Sequence, residues 1–429
     1  MLILIELLAR ILRELKVGAK LPSSIAWLDN SREEQQRIRE LLNLFAETES
    51  RDELGIGRIR DAFSDSLFPG TSTLHTRARY FVLVPWCFQE AERRRLSGAA
   101  LAMRVAANER RVLGILKQAG FTAGIIGGRV GPAVKTLPST VYWGALGQYR
   151  IRVVDASQSV LAAHIVSRPD HEAEELVDRA DGPWCATLPA VPPGFPDALE
   201  GGLDLTGQEA RWLRERILEG ASGTLLEHLV SSGRPPTPGS FAPWADPVAV
   251  DAPAELQSLL RHAELFSLSM HGAALLYNLL VAEQYESAGL TRHEGKAESY
   301  RQALVEWADD VHRHPKLAGW DRDAMWEHVI AQNPRVAGNS PMRRFVDHWL
   351  DAVCAGRAAT MTGNPVLREL VSQRERAVKK AQSRLVNNKL LQTWSGASGS
   401  GRLTYRWTQV KRLLTDIHDG LEDDPRASA

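Results

Sequence analysis

Cysteine is scarce. Cys87, Cys185 and Cys354 are the only three in 429 residues. They lie about a hundred or more residues apart with no CxxC pair, which supports neither a disulfide framework nor a structural zinc site and suits a reducing cytoplasm. Long uncharged apolar runs are also missing near the start. The opening MLILIELLARILREL is interrupted by Glu6, Arg10, Arg13 and Glu14, so it is expected neither to span a membrane nor to act as an export signal. Net charge is absent as well, with 52 Lys+Arg against 52 Asp+Glu, and bulk electrostatics therefore names no partner. Strand signals are few, YRIRVV at 149–154 being the strongest, and no strand–helix alternation supports a parallel sheet.

Readable catalytic signatures are lacking too. GGRVGPAVKT at 127–136 fails phosphate-loop spacing, because Ala133 and Val134 fall where the second Gly and the Lys belong. GIG at 55–57 lacks a third glycine and a preceding strand, so no dinucleotide fingerprint is present. H-E-x-x-H, G-x-S-x-G and P-C-x-x-C do not occur, which removes the legible metalloprotease, serine-hydrolase and deaminase cases. No cofactor and no metal site is expected.

What is there is a globular composition, 44% hydrophobic and 24% charged, with 12 Trp against 10 Phe. Its length suits roughly two to four domains. Helical punctuation dominates. Ser31 with Glu34, and Thr206 with Glu209, are capping boxes, in which each end of the pair satisfies a backbone N–H that the first helical turn leaves unpaired. Apolar spacing predicts helices over 58–67, about 75–95, 98–118, 139–148, one long buried helix from Ala254, then 296–313, 321–332, 341–354, 365–394 and 407–421. The fold class is therefore mainly α, a helical multi-domain protein with few strands. The stretch 233–253 holds six of the 22 prolines, which cannot sit inside helices, and is the best boundary. The organisation expected is an amphipathic extension at 1–22, a helical domain at 23–232, the Pro-rich linker, and a second helical domain at 254–429.

Charge is segregated although it sums to zero. Residues 74–152 carry thirteen Lys/Arg against three Glu, and 366–412 carry eleven against two. Phosphate backbones select for such basic patches, because each cation placed on a phosphate releases a counterion. Within 98–154, the order helix, Gly-rich turn, helix, strand suggests a winged helix-turn-helix. Arg129, Lys135, Tyr142, Arg150 and Arg152 would then contact phosphates or a groove of double-stranded DNA. In the second segment Arg376, Lys380 and Arg384 stand at i, i+4 and i+8, on one face of a helix, where they would track phosphates. Solvated helix faces, or basic segments docked on the protein's own acids, account for the same pattern.

Two further constellations bear on chemistry. HPKLAGWD at 314–321 satisfies the H-x-K-x4-D pattern of phospholipase-D-type phosphodiesterases, naming His314, Lys316 and Asp321, although the motif lacks its strand and its second copy. Ser267, His271 and Asn278 carry a polar stripe into the long apolar helix, as satisfied core hydrogen bonds or as the wall of a pocket. Glu306, Asp309 and Asp310 with His312 form an acidic helix face.

The runs SSIAWLD at 23–29 and RDELGIGRIRDAFSDSLFPGTSTLHTRARYFVLVPW at 51–86 resemble the signature of an uncharacterised bacterial domain family. KTLPSTVYWGALGQYRIR, FSLSMHGAALLYN, RLVNNKLLQTWSGASGSG and LTYRWTQVKRLL resemble it as well, so the similarity runs from Ser23 almost to the end. The resemblance transfers no catalytic residues. It implies association with phage-defence gene neighbourhoods, hence an accessory DNA-binding or assembly subunit with helicase or nuclease partners, cytoplasmic and not membrane-bound. A phosphodiesterase and a pure interaction scaffold are the alternatives.

Overall fold

The computed structural model describes residues 52–423 apart from 95, 97, 122, 129–133, 159–160, 162–181 and 339. The chain divides into two units, Met1–Leu41 and Leu42–Ala429, and every described residue belongs to the second. The amphipathic extension, the SSIAWLD run and the Ser31 capping box lie outside the described residues.

Fourteen α-helices and no strand are found among the described residues, so the fold is mainly α. They are α1 Gly57–Leu67, α2 Tyr80–Glu92, α3 Gly98–Gln118, α4 Pro138–Gln148, α5 Gly207–Gly220, α6 Leu225–Ser231 and α7 Pro247–Val250, then α8 Ala254–Ser287, α9 Lys296–Arg313, α10 Arg322–Gln332, α11 Pro341–Cys354, α12 Pro365–Lys379, α13 Asn388–Gln392 and α14 Trp407–Glu422. The Thr206–Glu209 capping box at the start of α5 is formed in both directions. Asp246, Asp321, Ser340, Asn364 and Asn387 cap α7, α10, α11, α12 and α13 with their side chains.

The core is organised on α8, which is long and apolar enough to cross a membrane by composition, yet has 83% of its apolar stretch buried inside the protein. Helices α1, α9, α11 and α12 pack on it. Its backbone carbonyls also take side-chain donors: Trp307 Nε1 donates to Leu268 O at 2.7 Å, Trp349 Nε1 to Ser269 O at 2.8 Å and the Tyr405 hydroxyl to Ala263 O at 2.8 Å. Tryptophan suits this role because it buries a large ring and still satisfies one polar atom. On the other side α2 packs on α3 and α4, and α14 packs on α5. One hydrophobic core runs through all these helices, on both sides of residues 233–253.

The structure corrects the sequence reading at three points. YRIRVV is not a strand: Arg150 has φ +52° and ends α4, and only Arg152 pairs, in one antiparallel bridge to Trp184. No wing is therefore built among the described residues. The helix expected from about 75 begins at Tyr80, because the Thr76 and Arg77 N–H groups donate to the Tyr142 hydroxyl and the Ala78 N–H to Asp416. The helix expected over 365–394 stops at Lys379. Lys380 takes φ +51° and the chain turns, so that the Ser383 hydroxyl and the Arg384 N–H both reach the buried Glu375 carboxylate.

The close approach of α8 and α9 depends on Gly272, where a Cβ would stand 2.3 Å from the Trp307 ring. Gly272→Ala is expected to destabilise the protein by about 1–3 kcal/mol through overpacking. Gly114→Ala, on the open side of α3 with nothing within 4 Å, is expected to stabilise by about 0.5–1 kcal/mol. Urea unfolding of the two variants measures both, and the opposite signs separate packing from helix propensity.

Candidate nucleic-acid interface and a polar cleft

Part of the segregated positive charge is spent inside the protein. In the first basic segment, Arg77 lies 2.9 Å from Asp416 and 2.7 Å from Asp204. Arg79 is buried on Glu209 at 3.0 Å and on the Glu200 and Gly202 carbonyls. Of the residues expected to touch DNA, Arg129 lies outside the described residues and Lys135 is exposed. Tyr142 is fully buried. Its hydroxyl accepts from the Thr76 and Arg77 N–H groups and donates to Arg77 O, and its ring stacks on His75 at 4.2 Å, so it is a core residue rather than a groove contact. Arg150 is exposed and pairs with Glu219 at 3.0 Å, and Arg152 lies over the Trp143 ring at 5.1 Å and beside Asp155 at 3.7 Å.

In the second segment the turn at Lys380 removes the shared helical face. Arg376 and Lys380 are exposed, whereas Arg384 turns inward to Glu53 at 2.7 Å. Lys379 joins Glu53 at 2.9 Å, Arg374 donates to Leu54 O and Gly55 O, Arg402 pairs with Asp310, and Arg406 holds Asp65 at 2.8 Å.

What remains is a face that motif reading passed over. Helix α3 buries Leu101, Val105, Asn108, Glu109, Val112, Leu113 and Leu116. Its helical repeat puts the exposed Arg110, Arg111 and Lys117 on the opposite side, with the half-buried Arg104, whose Nε is shielded from solvent, at the edge. The only acid of the helix, Glu109, is turned inward, where it accepts from the Ser139 N–H at 2.6 Å and the Ser139 hydroxyl at 2.9 Å. Among the described residues, of the four cations only Arg111 meets a carboxylate, Asp197, and both partners of that pair are exposed. Arg94 is exposed just ahead of the helix. All five were counted in the basic segment; the signal that singles them out is the absence of any acid on the outward positions of α3.

A second feature lies at the other end of the core, where four of the resembling runs meet. The Glu53 carboxylate is 4% exposed and accepts from Arg384 Nη1 at 2.7 Å and the Ser398 hydroxyl at 2.8 Å, with Lys379 alongside. Burial raises its pKa, but Lys379 and Arg384 more than offset this and hold it below the ordinary carboxylate value. Asn278 of the expected polar stripe binds Ser398 through both ends of its amide at 2.8 Å, while Ser267 is buried with no partner for its hydroxyl among the described residues. His271, the third member, lines a cleft of about 50 Å³ with Asp52, Glu53, Arg60, Tyr277 and Ser398. Burial pushes the His271 imidazole down to about 4, so it is neutral near pH 7.

His314 Nε2 lies 3.4 Å and Lys316 Nζ 3.7 Å from the same carboxylate, Glu264, while Asp321 accepts the Ala324 N–H at 2.9 Å as the N-cap of α10. Asp310, from the acidic face of α9, is spent on Arg402 and Arg313.

The model of a family of unknown function, DUF6361, matches residues 22–420, the extent over which the resembling runs were found. No curated protein and no solved structure matches the chain.

If Asp321 is a helix cap, Asp321→Ala costs about 0.5–2 kcal/mol in urea unfolding, and Asp321→Asn, an equally good cap, leaves stability within a few tenths. Equal losses in the two variants would contradict the capping role.

Proposed function

The chain belongs to DUF6361, a family of unknown function, and since membership brings no activity with it, we propose a function from its surface. The protein is a non-catalytic helical subunit that engages the phosphate backbone of double-stranded DNA through the solvent face of α3. The observation that carries this reading is the face itself, with four cations, no outward acid and Arg94 beside it. Arg104 to Lys117 spans about 20 Å along the helix axis. That length corresponds to roughly six base pairs of duplex. Contacts of this kind hold the backbone and read no bases, so binding is independent of sequence. The anti-phage setting that the resemblance implies gives such a subunit its place, beside a helicase or nuclease that performs the chemistry.

Protein assembly is the second reading. A mostly apolar groove of about 310 Å³, lined by Leu113, Ile125 and Ile126 and bordered by Arg110 and Lys117, lies at the edge of this face and favours it, as does Met103 at 68% exposure. The phosphodiesterase alternative gains nothing from the geometry, because His314 and Lys316 share one carboxylate and Asp321 is spent on a cap.

A gel-shift series on a duplex without a chosen sequence tests the proposal. With ~3 to 4 phosphates neutralised, affinity falls roughly 50-fold or more between about 50 and 200 mM salt. Joint Arg110→Gln and Lys117→Gln reduces the logarithmic salt slope by about 2. Retention that ignores salt, or a slope unchanged in the double variant, would overturn it.

A further inference from the structure

The cleft beside Glu53 can be read by counting which of its hydrogen-bonding groups are already used. Asp52 is engaged on both oxygens: one accepts the Ile56 N–H and the other the Gly57 N–H, both at 2.8 Å, at the start of α1. Glu53 is engaged by Arg384, Ser398 and Lys379. Ser398 is held through N–H, C=O and hydroxyl. Apart from Glu53 Oε2, which meets Lys379 only as an ion pair, the acceptors of the cleft are therefore engaged by the protein.

The donors are not. The Tyr277 hydroxyl accepts from Arg384 Nη1 at 3.4 Å, and among the described residues its own proton has no acceptor. His271 Nδ1 is buried without a partner among the described residues, and in the tautomer that carries its proton there it is a donor too. Arg60 turns two of its N–H groups to Asp61 and keeps three, and its guanidinium lies over Gly57, 3.5 Å from where a Cβ would stand. A glycine at 57 leaves that room; a Cβ there would also fall 2.7 Å from the Asp52 carboxylate. The local charge permits an anion, since Arg60, Lys379 and Arg384 face Asp52 and Glu53, and the two carboxylates are already bonded to cations or to backbone N–H groups.

We propose that this cleft binds a single oxyanion head group, a phosphoryl or carboxylate group of a small ligand, which takes the unspent donors of Tyr277, His271 and Arg60. The free space of about 50 Å³ is several times the ~10–15 Å³ that one water needs, which is room for a head group with the remainder of the ligand outside. An acceptor-rich ligand suits these donors, because the buried Tyr277 proton has no acceptor among the described residues and a buried donor left so is costly. The site is separate from the cationic face of α3 and does not rest on DNA binding.

Isothermal titration calorimetry on the full chain, with inorganic phosphate and acetate as separate probes against chloride at matched ionic strength, tests this. Saturable binding of one probe at a single site is expected. Phosphate alone identifies a phosphoryl ligand, and acetate alone a carboxylate. Tyr277→Phe and Arg60→Gln each weaken binding by ~10-fold or more, as loss of a hydrogen bond to a charged group does. Arg60 is partly exposed, so its variant keeps the test valid if Tyr277→Phe fails to fold. Joint Arg110→Gln and Lys117→Gln leaves this binding unchanged while altering retention of DNA, which separates the two proposals. Absence of heat above chloride for both probes, or affinity unaltered in both cleft variants, overturns the inference.

Discussion

One buried carboxylate holds the two ends of the described chain together. Glu53 precedes the first helix, and its partners Arg384 and Ser398 follow 331 and 345 residues later. Taking such a charge out of water is expensive, and only close cations with good geometry return the cost. Here Lys379 and Arg384 do so, strongly enough to keep the glutamate ionised against the effect of burial. The SGASGSG loop is then fixed to α8 by the Ser398–Asn278 pair, and the run after Lys379 is fixed by Glu375, which is wholly buried. A cleft exists because these segments meet without filling the space between Tyr277, His271 and Arg60.

The same constraint explains the charge map. A basic stretch of sequence implies a basic surface only if its partners are in solvent. Much of 366–412 is instead committed to the protein's own carboxylates and carbonyls: Arg368 to Glu283, Arg374 to two carbonyls, Lys379 and Arg384 to Glu53, Arg402 to Asp310 and Arg406 to Asp65. Helix α3 differs because its one acid points inward. Two charge patterns alike in composition therefore have different fates, one structural and one available to a phosphate polymer.

Much of the helical architecture was legible because its signals are local. Capping residues and apolar periodicity located α3, α5, α8, α9, α10, α11 and α14 to within a residue or two. The failures come from partners that helical spacing does not show, some near in sequence and some distant. RERAVKKAQSRLVNNK has helical spacing throughout, yet Glu375 captures the Ser383 hydroxyl and the Arg384 N–H and bends the chain. Tyr142 sits in a helix that resembles a recognition helix, but its hydroxyl binds the backbone before α2, more than sixty residues earlier. Glu53 carries no local mark in RDELGIG, and its role depends on residues more than three hundred positions away. The α3 face was within reach, since its cations were counted and their helix was assigned; only the inward turn of Glu109 was missing.

The measurement that bears most directly on this account is a double-mutant cycle between Glu53→Gln and Arg384→Gln, followed by urea unfolding of the full chain. Each single variant leaves a buried charge short of its partner and is expected to lose about 3–5 kcal/mol. The double variant is expected to lose less than the sum by at least about 1 kcal/mol, because the two groups act through each other. Losses that add to within about 0.5 kcal/mol would show that Glu53 and Arg384 stabilise the protein independently, and the carboxylate would not be the link between the two ends of the chain.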